Sequence, residues 1–203
     1  MHSPTLYRLC QGLLRHTWAR IWRVKVDGLE YLPPGPAVLC PKHQRWEDIP
    51  VVGLALPPPL FYIAKVELFT TPLVREFLRA LGGIPVDRQS PRATLSSFRQ
   101  LLPLLDQKSY LVLFPEGTYV PGRVGPGKHR LIQYLLGLQE KNGFYPLPFV
   151  PVGISYQPRK VGFEAQVRLG PPLYAPRSGL AEALTHRLMA AIGELSLPSP
   201  SGA

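Results

Sequence analysis

Residues 37–56 read AVLCPKHQRWEDIPVVGLAL, and the order of the three parts decides the fold. Ala37 to Cys40 is a short apolar run of strand length, and Glu47 to Leu56 fits a helix. Between them lies a polar junction, Lys42-His43-Gln44-Arg45-Trp46, at the end of the strand. In an α/β architecture this is where exposed functional groups gather.

The same alternation continues on both sides. Strands are predicted near Val24 to Val26, Phe61 to Ala64, Ile84 to Val86, Tyr110 to Phe114, Val150 to Ser155 and Ala165 to Leu169. Helices fit Pro72 to Leu81, Arg92 to Leu105, Lys128 to Glu140 and Ser178 to Leu195. Strands alternating with helices predict an α/β fold, a single domain whose largely parallel central sheet is flanked by helices. No internal repeat or low-complexity linker divides the chain, so the domain runs over 23–195 and the Ser-, Pro- and Gly-rich stretch 196–203 reads as a disordered tail.

Ahead of the domain, residues 1–22 carry apolar side chains at helical spacing, Leu6, Leu9, Leu13, Leu14, Trp18 and Ile21, opposite Arg8, Arg15 and Arg23. Such an amphipathic helix either packs on the core or lies in a membrane interface, and Trp18 and Trp22 beside arginines tilt toward the interface. Arg8, Arg15 and Arg20 interrupt the apolar run that a cleaved signal would need. No stretch reaches the roughly 18 apolar residues of a spanning helix, because Pro57, Pro58 and Pro59 break the longest candidate. A net charge of +10 calls for an anionic partner. The arginines are scattered and no nucleic-acid-binding signature is present, so an anionic membrane surface is expected and nucleic acid is not. Cys10 and Cys40 have neither metal-ligand nor disulfide-framework spacing, which predicts no metal, no cofactor and a cytoplasmic setting.

Four blocks carry candidate chemistry. In the first, residues five apart on one ideal helix point about 140° away from each other, so His43 and Asp48 meet only if the chain bends sharply between them. Once paired, the carboxylate fixes the ring tautomer and leaves the other nitrogen able to take a proton from a hydroxyl. The second block, Gly82-Gly83-Ile84-Pro85-Val86-Asp87-Arg88, fits either a helix stop followed by surface charges or a strand end at which Arg88 forks onto a phosphate. In the third, Phe114-Pro115-Glu116-Gly117-Thr118, Glu116 positions a hydroxyl or a basic neighbour and Gly117 exposes an N–H to a developing oxyanion, unless the segment is a plain turn. The fourth, Phe149-Val150-Pro151-Val152-Gly153-Ile154, reads as core.

In this order and spacing the blocks resemble the motifs of the glycerolipid acyltransferase family, whose best-known members are the 1-acyl-glycerol-3-phosphate acyltransferases. The resemblance runs from Val24 to Tyr174 and includes Asp27-Gly28-Leu29-Glu30 and Lys65 with Glu67-Leu68. It implies that His43 and Asp48 are the catalytic pair and that a fatty acyl group passes directly from a thioester to a lysophospholipid hydroxyl. The thioester would be acyl-CoA or acyl carrier protein, and the enzyme would sit peripherally on the membrane. It further implies that Lys65, Arg88, Glu116, Gly117 and Thr118 hold the acceptor. No Gly-x-Ser-x-Gly elbow competes for the role of nucleophile.

Two residues depart from the family pattern. Tyr119 stands where an Arg is usual, and Arg45 where a Ser is usual. Because Tyr119 cannot supply a positive charge, a second cation for the phosphate is expected from the loop that follows, from Arg123 or Lys128.

Overall fold

Along the chain follow β1 (Trp22–Asp27), β2 (Ala37–Pro41), α1 (Asp48–Ala55), β3 (Leu60–Lys65), α2 (Pro72–Ala80), β4 (Gly83–Val86), β5 (Tyr110–Val112), α3 (His129–Asn142), β6 (Phe149–Pro158), β7 (Phe163–Leu169) and α4 (Ala181–Leu195). The structure, a computed structural model, describes residues 22–56, 60–87, 93–94, 96–97, 109–143 and 146–197, with Gly12 and Pro103. The strands form one seven-stranded sheet in the order β1-β7-β6-β2-β5-β3-β4. From β6 to β4 all neighbours are parallel, β7 is antiparallel to β6, and β1 is parallel to β7. The architecture is the expected α/β domain with a mostly parallel sheet.

The apolar run of β2 has a simple cause. Both faces of the sheet are covered, so successive side chains enter different cores. Val38 and Cys40 pack with α3 and α4, through Leu135, Leu188 and Ile192. Ala37 and Leu39 pack with α1, through Val51, Val52 and Leu56. All five residues of β2 are buried.

The connections explain where the site lies. The β2–α1–β3 connection runs over the second face and the β5–α3–β6 connection over the first, although β2 and β5 are adjacent and parallel. Chains leaving the carboxyl ends of two neighbouring strands toward opposite faces open a crevice between them, the topological switch point of an open α/β sheet. The first and third sequence blocks both emerge there.

Several boundaries differ from the sequence reading. Trp22 is a strand residue, paired with Phe163 and packed on its ring at 4.7 Å, so the expected N-terminal helix ends before it. Apart from Gly12, which is helical, the rest of that helix lies outside the described residues. So does the helix expected over Arg92 to Leu105, except Ala93, Thr94, Ser96, Ser97 and Pro103, all helical. β5 ends at Val112, before the expected Phe114, because the chain turns out of the sheet into the site. β6 runs on to Pro158 because its second half pairs with β7 in a hairpin, which a run read only for apolar core does not reveal. Of the tail expected from residue 196, Ser196 and Leu197 are described. Ser196 closes α4, and Arg168 donates to the Leu197 carbonyl at 2.5 Å. No described helix is long and apolar enough to cross a membrane.

Gly82 shows why the second block opens on glycine. It ends α2 with φ of +85°, and a Cβ there would lie 2.4 Å from the Leu60 carbonyl oxygen. Only glycine accepts both conditions, and the turn brings β4 into register with β3 so that Val86 pairs with Lys65.

Candidate active site

Asp48 is the first residue of α1, and the bend that the spacing demands is present. Its Oδ2 accepts the backbone N–H of Gln44 at 2.5 Å and of Arg45 at 2.8 Å, which folds the junction back over the helix start. The same oxygen lies 3.1 Å from His43 Nδ1. Asp48 is fully buried, and Oδ1 accepts the Tyr156 hydroxyl at 2.6 Å. The carboxylate therefore has donors on both oxygens, which a buried charge requires.

His43 sits between two rings. Phe114 stacks on it with centroids 3.9 Å apart, and Tyr119 tilts against it at 4.4 Å. With Nδ1 held by Asp48, Nε2 is the nitrogen that can exchange a proton, and no described protein group bonds to it. The side chain is 11% exposed, enough to reach a substrate while most of the ring stays dry.

A second buried pair carries the loop on which His43 rides. Lys42 Nζ lies 3.0 Å from each oxygen of Glu116, and the two side chains are 2% and 1% exposed. Lys42 also donates to the carbonyls of His43 at 3.1 Å and Val120 at 2.8 Å. Glu116 accepts the backbone N–H of His43 at 2.8 Å and of Gly125 at 2.7 Å. Each ionic group is nearly saturated, the condition under which a buried ion pair is tolerated. Val120 N–H returns to the His43 carbonyl at 2.8 Å, and Gln44 Nε2 reaches the Ile154 carbonyl at 2.7 Å. The first, third and fourth blocks thus converge on one junction.

Beside it opens a cavity of about 900 Å³, sharing Phe114 with the His43 stack. It is lined by Lys65, Lys128, His129 and Arg130, the last two at the N-terminus of α3, by the carboxylate Glu67, and by the apolar Leu113, Leu131 and Tyr134. Lys65, Lys128 and Arg130 outnumber the one carboxylate and with the helix N-terminus favour an anion, and the apolar side chains suit a hydrocarbon.

Of the residues singled out in the sequence, His43 and Asp48 are in contact, and Lys65, Gly117 and Lys128 line the cavity. Thr118 and Arg123 are exposed on the loop and are not part of its wall. Arg88 lies outside the described residues, two positions past the β4 end that pairs with Lys65. Of the alternatives the third block left open, Glu116 takes the basic neighbour, Lys42, and Gly117 takes the turn. Glu116 is buried with both oxygens engaged by this chain, so it braces the His43 loop. The Gly117 N–H closes a turn onto the Phe114 carbonyl at 3.1 Å and is not offered to an oxyanion.

The sequence reading gave no role to Lys42, Tyr156, His129 or Arg130. Lys42 directly follows a buried strand, and that position was the available signal for a buried cation. Nothing local marks Tyr156. The two departures from the family pattern have partners: Tyr119 packs on His43, and the Arg45 guanidinium lies 4.0 Å above the Tyr156 ring. Cys40 is wholly buried, and burial pushes its thiol pKa far up, so it is no nucleophile.

A hydrogen-bonded His–Asp pair thus stands at the switch point of an α/β sheet, beside a cavity lined by both charged and apolar side chains. Residues 23–155 match the family described as Acyltransferase, and the chain belongs to that family. It is 30% identical over 199 residues to the 1-acyl-sn-glycerol-3-phosphate acyltransferase of Pseudomonas aeruginosa, spanning 88% of this chain and 75% of that protein. It is 33% identical over 116 residues to the enzyme of the same name from Bacillus subtilis, spanning 56% of this chain and 57% of that one, little more than half its length. The crystal structure of the 1-acyl-sn-glycerophosphate (LPA) acyltransferase PlsC from Thermotoga maritima shares the fold, with a TM-score of 0.68 at 20% identity over 96% of this chain and 81% of that one.

Proposed function

We propose that the chain transfers a fatty acyl group from an acyl thioester to the hydroxyl of 1-acyl-glycerol-3-phosphate, giving phosphatidic acid, with His43 as general base. The observation that carries this reading is His43 held by buried Asp48 at 3.1 Å next to the cavity. His43 Nε2 takes the proton as the hydroxyl oxygen attacks the thioester carbonyl. The tetrahedral adduct then expels the thiolate, which recovers the proton from the imidazolium. Asp48 stabilises the transient positive charge, and no acyl-enzyme forms.

The acceptor phosphate binds among the cations that line the cavity, Lys65, Lys128 and Arg130, with Arg88 as a further cation. A phosphate leaving bulk water with nearly two negative charges needs more than one cation. The donor is acyl-CoA or acyl carrier protein, both acidic, which suits a chain of net charge +10. The same charge and the arginine-bearing stretch 1–22 favour peripheral attachment to the anionic cytoplasmic face of a membrane.

Thiol release from palmitoyl thioester, with and without lysophosphatidic acid, is the direct test. Release that does not depend on the acceptor sinks the reading. Lys128→Ala should raise the acceptor KM about tenfold, the scale of one charge-assisted hydrogen bond worth ~1.5 kcal/mol, and leave the donor KM within about twofold. A rise in donor KM instead would assign the cationic wall to the thioester carrier. The placement of Tyr119 against His43, where the family usually carries a cation, favours one other reading, transfer to a different lysolipid. An acceptor panel separates the two.

A further inference from the structure

We propose that Tyr156 is a positioning residue for the acyl-transfer base: its hydroxyl, donating to Asp48 Oδ1, fixes the carboxylate that orients His43. The inference rests on the general-base reading above and adds a third member to the pair. Oδ2 of Asp48 is anchored by the Gln44 and Arg45 N–H groups and faces His43, so rotation of the carboxylate is governed by whatever holds Oδ1. Among the described residues that partner is Tyr156, at 2.6 Å. It comes from β6, 108 positions along the chain, so it ties the α1 junction to the sheet independently of the local turn.

The hydroxyl is suited to be a permanent donor. Burial first, then the charge of Asp48 and its hydrogen bond, push the Tyr156 pKa far up, so the proton stays on the phenol oxygen at any working pH. The ring is clamped as well. Arg45 lies 4.0 Å above it, and Phe163 meets it edge-on at 5.0 Å. Arg45 is thereby a support for Tyr156, which gives this departure from the family pattern a place in the site.

The ionisable groups around His43 and Asp48 are few among the described residues. The α1 junction supplies Lys42, Arg45 and Glu47, the β5–α3 loop Glu116 and Tyr119, and β6 Tyr156 itself. Lys42 and Glu116 pair with each other at 3.0 Å. Arg45 and Glu47 act oppositely on Tyr156. The Tyr156 bond is therefore the neutral lever on Asp48.

Tyr156→Phe keeps the ring under Arg45 and removes only the donor. The Asp48 charge is then less dispersed and favours the imidazolium more strongly, so the acidic limb of the kcat/KM profile should move to higher pH by about half a unit to one unit. At the wild-type optimum kcat should fall roughly three- to tenfold, with both KM values within about twofold. A purely structural contribution would lower the melting temperature and the active fraction without moving the limb, and that result overturns the proposal, as does a profile identical to wild type. His43→Ala in the same assay keeps the two ideas apart. An inactive His43→Ala beside an unshifted Tyr156→Phe removes only the role of Tyr156, whereas an active His43→Ala removes both.

Discussion

His43→Ala folds like the parent and loses at least about two orders of magnitude in thiol release, the lower end of what a positioned general base contributes. The side chain touches Phe114, Tyr119 and Asp48 but belongs to neither apolar core, so its truncation leaves the sheet and helices intact. Asp48→Asn should be nearly as damaging for a different reason. The amide offers no negative charge to the imidazolium, and with its oxygen kept toward the Gln44, Arg45 and His43 nitrogens it turns an NH2 donor toward the Tyr156 hydroxyl, which donates to Asp48. Single-turnover kinetics on the purified variants measures both losses, with circular dichroism as the folding control. Turnover near wild type in both would dismiss the mechanism.

Lys42→Met carries the largest expected cost in stability. It leaves the Glu116 carboxylate buried with backbone donors but no countercharge, a condition that typically costs about 3–5 kcal/mol when one partner of a buried pair is removed. Against the roughly 5–15 kcal/mol that holds a domain together, this is about a fifth or more. Urea denaturation should show a lower midpoint at unchanged slope. The double variant Lys42→Met with Glu116→Met should recover much of the loss, because the desolvated charge goes with its partner. If the single variant matches wild type, the pair is not held dry in solution. Activity should fall as well, since the pair grips the His43 backbone at both its N–H and its carbonyl.

The contrast between these predictions marks what the sequence could disclose. Periodicity located every strand of the sheet, because a buried parallel strand writes a short uninterrupted apolar run, as at Ala37–Pro41. The resemblance located His43 and Asp48, close in sequence and joined by one tight turn. The Lys42–Glu116 pair was beyond reach because its partners stand 74 positions apart and meet only when β2 and β5 become neighbours. A glutamate beside a glycine in a loop looks solvated from composition alone, yet Glu116 is among the most buried residues of the chain. Tyr156 was hidden for the same reason, since a tyrosine near the end of a strand carries no sign that its hydroxyl meets a carboxylate on another element.

β1 leaves a different kind of mark. Its Asp27 meets β7 through Gln166, 139 positions later, and β7 is its sheet neighbour. A ribosome adding about 5–20 residues each second needs roughly 7 to 28 seconds to make the partner of a strand it has already released. Through that interval the first strand of the domain waits without its place in the sheet. It alternates half-buried with exposed positions, and Arg23, Lys25 and Asp27 occupy the exposed ones. Charges spaced along a strand disfavour its pairing with another copy of itself, and once β7 arrives Arg23 and Lys25 meet its Glu164.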